Sequence, residues 1–282
     1  MTQPLVDTHV HLWHPQQISY PWLAGVPAIN RPFGLEDFRA ASAGLNVEKM
    51  VFMECDAAAE DRLKEVAWVS SLAKDEPRLQ AILASAPLEL GEGAREQLNQ
   101  LAAYPLVKGV RRLIQSEGPG FAFRPDFVKG VKLLPEFNFS FDICIRHHQL
   151  ADTIKLVEQC PEVTFILDHV GKPDIKAQLF DPWRAEIKAL AKFPNVYCKI
   201  SGLVTEADLQ HWTRQDLKPY IDHVVAAFGP DRIIYAGDWP VSTLATTYKT
   251  WVETLSWATA ALSAEERHKL FYQNAVSIYK LA

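Results

Sequence analysis

Cysteine is scarce in this sequence: Cys55, Cys144, Cys160 and Cys198 are the four in 282 residues, and no two form a C-x-x-C pair. Three of them lie inside apolar, strand-like runs, where cysteine behaves as a small buried hydrophobe. A disulfide framework is not expected, and a reduced cytoplasm fits best. Long apolar runs are absent too: none approaches the ~18 residues of a membrane span. No charged-then-apolar stretch opens the sequence, so no secretory leader is expected. Neither sign of charge dominates. The formal net charge is −5 with Lys/Arg and Asp/Glu well mixed, which excludes the basic stripe that nucleic acid or anionic lipid would require. A glycine-rich phosphate turn after an early strand is also missing, which removes the usual signature of a doubly wound nucleotide-binding sheet.

What is present is an ordinary globular composition, 48% hydrophobic and 22% charged, arranged as a strict alternation. Apolar runs at 5–12, 49–56, 79–87, 106–115, 139–148, 163–169, 195–202 and 232–238 read as strands. Helical patterns at about 35–45, 60–74, 92–103, 125–137, 150–159, 182–192, 216–228, 246–261 and 264–281 separate and follow them. Alternating strands and helices imply parallel pairing through right-handed crossovers. Eight such units without a composition break predict one α/β domain over 1–282, a closed (β/α)8 TIM barrel of the usual ~250-residue size. The segment 13–33, rich in Pro, Trp and Tyr, lacks periodicity and is expected to form a wall or lid, or simply a packed surface loop.

The chemistry gathers at strand ends. In the first strand Asp7, His9 and His11 alternate, and side chains two apart on a strand share a face, so all three are expected to point one way. The other strands end in Glu54-Cys55-Asp56, in Arg111, Arg112 and Gln115, in Arg146-His147-His148, in Asp168-His169, in Lys199 and Ser201, and in Asp238. Only the third, ending in Ser85 and Pro87, is chemically quiet. Barrel enzymes build their sites at this end of the sheet, and the convergence argues for an enzyme over a binding or scaffold barrel. Plainer roles are open to some of these residues. Asp238 could cap a turn, one of Arg111 and Arg112 should face outward, one of His147 and His148 should point inward, and Lys199 could neutralise an internal carboxylate. His14, His211, His223 and His268 fall in loops or helices and suggest no function.

Taken together, V-D-T-H-V-H-L-W, G-V-R-R-L-I-Q, R-H-H-Q-L, L-D-H-V-G-K-P and Y-A-G-D-W-P, in this order between residues 6 and 240, resemble the lactonase branch of the amidohydrolase superfamily. That branch includes hydrolases of L-fuconolactone, L-rhamnonolactone, pyrone and muconolactone compounds. The resemblance implies metal-binding and catalytic positions at His9, His11 and Asp238, histidines of the site at His148 and His169, and a substrate-contacting arginine at Arg111. The bridging lysine of binuclear members has no counterpart in I-Q-S after strand four, so at most one divalent ion, zinc or manganese, is implied, held by His9, His11, Asp238 and His148. Metal dependence varies within the branch, and metal-independent catalysis with Arg111 and a protonated histidine as electrophiles is the alternative.

The expected reaction is hydrolysis of a lactone, with Asp238 as general base and then acid and His169 sharing or orienting the proton. Trp13, Trp22, Trp239, Glu54 and Gln115 could wall and hydrogen-bond a polyhydroxylated ring, while Glu54 and Asp56 disfavour a dianion. A neutral sugar lactone is therefore preferred over a pyrone or muconolactone substrate, and a metal-dependent decarboxylase is the second enzymatic class. The expected partner is a small molecule, with no nucleic acid or membrane; self-association into a homo-oligomer is left open.

Overall fold

The protein is described here from a computed structural model, which covers residues 3–282. Eight parallel strands pair in sequence order: β1 (Leu5–Val10), β2 (Val47–Met53), β3 (Leu79–Ser85), β4 (Val107–Leu113), β5 (Ser140–Cys144), β6 (Phe165–Leu167), β7 (Val196–Ile200) and β8 (Ile233–Tyr235). The ring closes between first and last. Val10 bridges Trp239 in parallel sense, the His11 amide donates to the Trp239 carbonyl at 2.7 Å, and the Thr8 hydroxyl donates to the Tyr235 carbonyl at 2.7 Å. The helices are α1 (Leu35–Ala41), α2 (Arg62–Leu72), α3 (Arg95–Ala102), α4 (Pro125–Val131), α5 (Leu150–Gln159), α6 (Trp183–Leu190), α7 (Leu203–Glu206), α8 (Arg214–Phe228), α9 (Tyr248–Ala258), α10 (Ala264–His268) and α11 (Asn274–Tyr279). Each strand is followed by at least one, as a (β/α)8 barrel requires.

Local chemistry starts these helices where the chain leaves the barrel. Thr213 and Asp216 form a reciprocal capping box at α8, and Ser263 with Glu266 does the same at α10, each satisfying amides that the first turn leaves without partners. Two apolar compartments result. The larger lies between the sheet and the helices and contains Phe38, Phe52, Phe127, Trp183 and Trp251. The smaller fills the barrel itself with Val6, Val51, Met53, Ala81, Leu83, Ile166 and Ile234, and is plugged from below by Tyr279 and Leu281 of the C-terminal segment.

β1 departs from simple alternation. The pairing register with β2 slips between Asp7 and Val10, and an inserted residue reverses the facing of everything after it. Val6 therefore joins the barrel interior, while Asp7 turns away from the two histidines. Its carboxylate accepts from the Gly237 amide at 2.8 Å, from the His9 amide at 3.0 Å and from the Tyr248 hydroxyl at 2.8 Å. The expectation that Asp7, His9 and His11 share one face is corrected by this slip. Asp7 staples β1 to the end of β8. A Cβ on Gly237 would lie 2.3 Å from Asp7 Oδ2, which is why glycine stands there.

Candidate active site

His9 and His11 rise from the end of β1, their Nε2 atoms 3.1 Å apart. Asp238, which directly follows Gly237 just past β8, places Oδ1 3.7 Å from His9 Nε2 and 3.6 Å from His11 Nε2. His169, just past β6, brings its Nε2 to 3.9 Å from the same oxygen. All four are buried. Two sets of donors close enough to hold an ion arise among the described residues, His9–His11–Asp238 and His9–Asp168–His169. Both use His9, so they are alternatives or overlapping halves of one centre.

The protonation pattern can be worked out from the partners. His11 Nδ1 faces the Met53 carbonyl at 2.9 Å, which can only accept, so Nδ1 carries the hydrogen and Nε2 is bare. His9 Nε2 receives Arg111 Nη1 at 3.2 Å, and a guanidinium can only donate, so this nitrogen is bare as well. Two lone pairs thus face each other at 3.1 Å with a carboxylate beside them. Such an arrangement calls for a cation between them, and imidazole nitrogens with a carboxylate oxygen suit zinc or manganese. The outer nitrogens of His11 and His169 are buttressed as those of metal-ligating histidines usually are, His11 Nδ1 by the Met53 carbonyl and His169 Nδ1 by Ser201 Oγ at 2.9 Å, while His9 Nδ1 faces Asp168 Oδ1 at 3.4 Å without a hydrogen bond. The residues fit a divalent ion.

Burial sets the charge states. It pushes the His9 imidazole well below its ordinary pKa, helped by the positive charges of Lys199 and Arg111. Burial does the same to His169, against the opposing pull of Asp238. Burial alone would raise the Asp238 carboxyl, but His169 and His11 outweigh it and leave it below the ordinary carboxylate range. His9 and His169 are therefore neutral beside an ionised carboxylate.

Backbone strain holds several of these groups. Asp56, His169 and Asp238 all occupy the left-handed region, at φ 54°, 53° and 54°, where a non-glycine residue costs of order 1–3 kcal/mol. After β6 the positive φ runs through Val170, Gly171 and Lys172. The turn is clamped by the Trp183 indole donating to the Val170 carbonyl at 2.8 Å. On its other side Gly202 backs the His169 ring so closely that a Cβ would lie 2.6 Å from Nδ1.

Over these residues opens a cavity of about 330 Å³, lined by His11, His169, Asp238, Arg111, Trp22, Asp56, Gln115, Lys172 and Glu206 among others. The segment 13–33 forms one wall. Its base is pinched by paired Trp13 and Phe33 amides, its Trp22 indole donates to the Cys55 carbonyl at 2.7 Å, and Ser19 receives the Ala58 amide at 2.9 Å.

Several sequence expectations change here. β5 stops at Cys144, and His147 and His148 form the turn that enters α5. His148 is exposed, packs edge-on against His147, and belongs to neither donor set; neither histidine of this pair points into the barrel. Glu54 is buried beneath the cavity and does not line it. It grips Arg111, accepting from Nε at 2.5 Å through its side chain and from Nη2 at 2.6 Å through its carbonyl. Trp239 is buried edge-on between Phe33 and Phe38 rather than facing the cavity. Arg111 does point inward, while Arg112 pairs outside with Glu89 and Glu117. Lys199 is enclosed between Asp142 and Asp168. Lys172 and Glu206 line the cavity although neither belongs to a strand. The signal for Lys172 was the lysine of D-H-V-G-K-P, which lies beyond the strand end and enters the cavity through the left-handed turn; Glu206 lies in a helix with no distinguishing pattern.

A closed barrel with histidines and an aspartate converging at the C-terminal rim defines a (β/α)8 hydrolase. The chain belongs to the amidohydrolase family, whose model matches residues 6–281. It is similar to an L-fucono-1,5-lactonase of Burkholderia multivorans, 30% identical over 289 residues that span 98% of this chain and 96% of the relative. An L-rhamnono-gamma-lactonase of Scheffersomyces stipitis is 25% identical, covering 98% of both chains. Among solved structures, an amidohydrolase from Burkholderia multivorans with bound zinc superimposes with a TM-score of 0.88 at 28% identity, over 99% of both chains.

Proposed function

We propose that this enzyme opens a lactone ring by hydrolysis, and that its substrate is a neutral sugar-acid lactone of the L-fuconolactone or L-rhamnonolactone type. The observation that carries the reading is the convergence of bare His9 and His11 Nε2 atoms and the Asp238 carboxylate at the floor of the cavity. The names of its relatives support action on lactones.

His9, His11, Asp238 and His169 are the residues that would hold a zinc or manganese ion. Bound there, the ion supplies a Lewis acid for the ring carbonyl. Asp238, held below the ordinary carboxylate range, accepts a proton from the attacking water and returns it to the ring oxygen as the acyl–oxygen bond breaks. His169, neutral and hydrogen-bonded to Ser201, orients that carboxylate. Arg111, fixed by Glu54, directs Nη1 toward His9 and Asp168 and holds the first histidine in place. Trp22 and Gln115 offer an aromatic wall and an amide to the sugar. The four cysteines are free and buried, which suits a reducing compartment such as the cytoplasm.

The test is acid release from a panel of aldonolactones, followed with a pH indicator, using protein loaded with zinc or manganese. Opening of a 6-deoxy aldonolactone is the expected result. Silence on all sugar lactones, with carbon dioxide released from an aromatic acid instead, overturns the proposal.

A further inference from the structure

Two cations reach the cavity, and they are not equivalent. Arg111 is committed: Glu54 and Asp168 both face it within salt-bridge distance. Lys172 is not. Its Nζ donates to the Gln115 side-chain oxygen, and among the described residues no carboxylate lies close enough to pair with it. An ammonium has three hydrogens to donate, so most of its capacity faces the cavity. The placement is built. Positive φ at four successive residues, His169 to Lys172, bends the chain back so that Lys172 enters beside His169 and Asp238, and the Lys172 amide is tied to the His169 carbonyl at 2.8 Å. Glu206 also lines the cavity but stops short of an ion pair, its carboxyl pushed up by burial and pulled only partly back by Lys172.

We propose that Lys172, steadied by Gln115, is the anion receptor of this site and takes the carboxylate that ring opening creates. The inference rests on the lactone reading above. A neutral lactone and water give a hydroxy acid: the water oxygen joins the acyl carbon, the acyl–oxygen bond breaks, and the ring oxygen leaves as a hydroxyl carrying the returned proton. The acid then ionises, so one negative charge appears where none was present in the substrate. Asp56, Asp238 and Glu206 line the same space, so beside any ion held by the histidines the product carboxylate meets one side-chain cation without a carboxylate partner, Lys172. One such cation matches one carboxylate. The site is thereby fitted to monoanionic products, and a dicarboxylate would leave its second charge among three acidic side chains.

The experiment is calorimetric titration of wild-type protein, Lys172→Met and Lys172→Arg with six-carbon aldonates, with alditols as uncharged controls and aldarates as dianions. Methionine keeps the length of the stem and adopts the left-handed backbone no less readily than lysine, and thermal melts check the fold. Loss of a charge-assisted hydrogen bond predicts about 10- to 100-fold weaker aldonate binding in Lys172→Met, partial recovery in Lys172→Arg, and no change for alditols. With an active lactone, Lys172→Met should show weaker inhibition by product. Equal aldonate affinity in wild type and Lys172→Met, no aldonate binding by the wild type, or aldarates binding tighter than aldonates would each overturn the proposal. Wild-type protein that binds aldonates through Lys172 but opens no lactone would overturn the lactone reading and leave the receptor standing.

Discussion

Lys199 Nζ lies 3.2 Å from Asp168 Oδ1 inside the barrel, with both side chains fully buried. The same ammonium pairs with Asp142, which also accepts from the Tyr279 hydroxyl at 2.9 Å. Asp168 in turn faces His9 Nδ1 and Arg111. The C-terminal plug of the barrel is thus linked to the first histidine of the site through buried charges. Removing one member of a buried ion pair leaves its partners uncompensated, at a cost of about 3–5 kcal/mol. Lys199→Met should therefore lower the unfolding free energy obtained from denaturant titration by that much, and an unchanged value would show that the network contributes no net stability.

Asp238→Asn retains the size of the side chain and its place on the left-handed turn but can no longer accept a proton. The expected loss in kcat is ~10²–10⁴, with a melting temperature close to that of the wild type. Activity within threefold of wild type would exclude Asp238 as the general base.

The pH dependence follows from the same site. His9 and His169 have folded pKa values well below the ordinary one, so each stays neutral in the native state after its unfolded counterpart has begun to protonate. The unfolded chain then binds more protons, and stability rises with pH in that window. Stability should fall as the pH drops below about 6.5, while the activity profile shows no inflection there, because the native imidazoles do not titrate. A rate profile with a step near 6.5 that disappears in His169→Asn would contradict this.

Glu65 of α2 gives the opposite slope. Burial, with the nearby Glu54 charge, raises its pKa to about 8, and one oxygen accepts the Cys55 amide at 3.2 Å. The folded state holds a proton that the unfolded state has lost, so stability should decline between about pH 4.5 and about pH 8. Glu65→Gln keeps the amide contact and removes the titration. Denaturation curves of this variant should lose that component of the slope.

Metal uptake tests the ligand set directly. Protein stripped with a chelator and titrated with zinc should bind one ion per chain, because the two donor sets share His9. His11→Ala should abolish it, whereas His148→Ala, at an exposed turn, should leave it intact. Binding undiminished in His11→Ala would exclude the assignment.

The barrel was legible because its signal is local and repeated. Each apolar run has strand length, each following segment has helical periodicity, and eight alternations admit few topologies. His9, His11, His169 and Asp238 were legible for a related reason: strand ends are countable, and this fold brings them to one rim. Tertiary structure decided what pattern could not. The register slip in β1 sends Asp7 to Tyr248, because a single inserted residue inverts strand facing and leaves no mark in composition. The early end of β5 puts His148 in solvent. Whether Glu54 meets substrate or Arg111, and whether Trp239 walls the cavity or packs on Phe33 and Phe38, depends on neighbours distant in the chain. Lys172 enters the site through four left-handed residues, a conformation that three of their side chains disfavour and that the surrounding packing imposes.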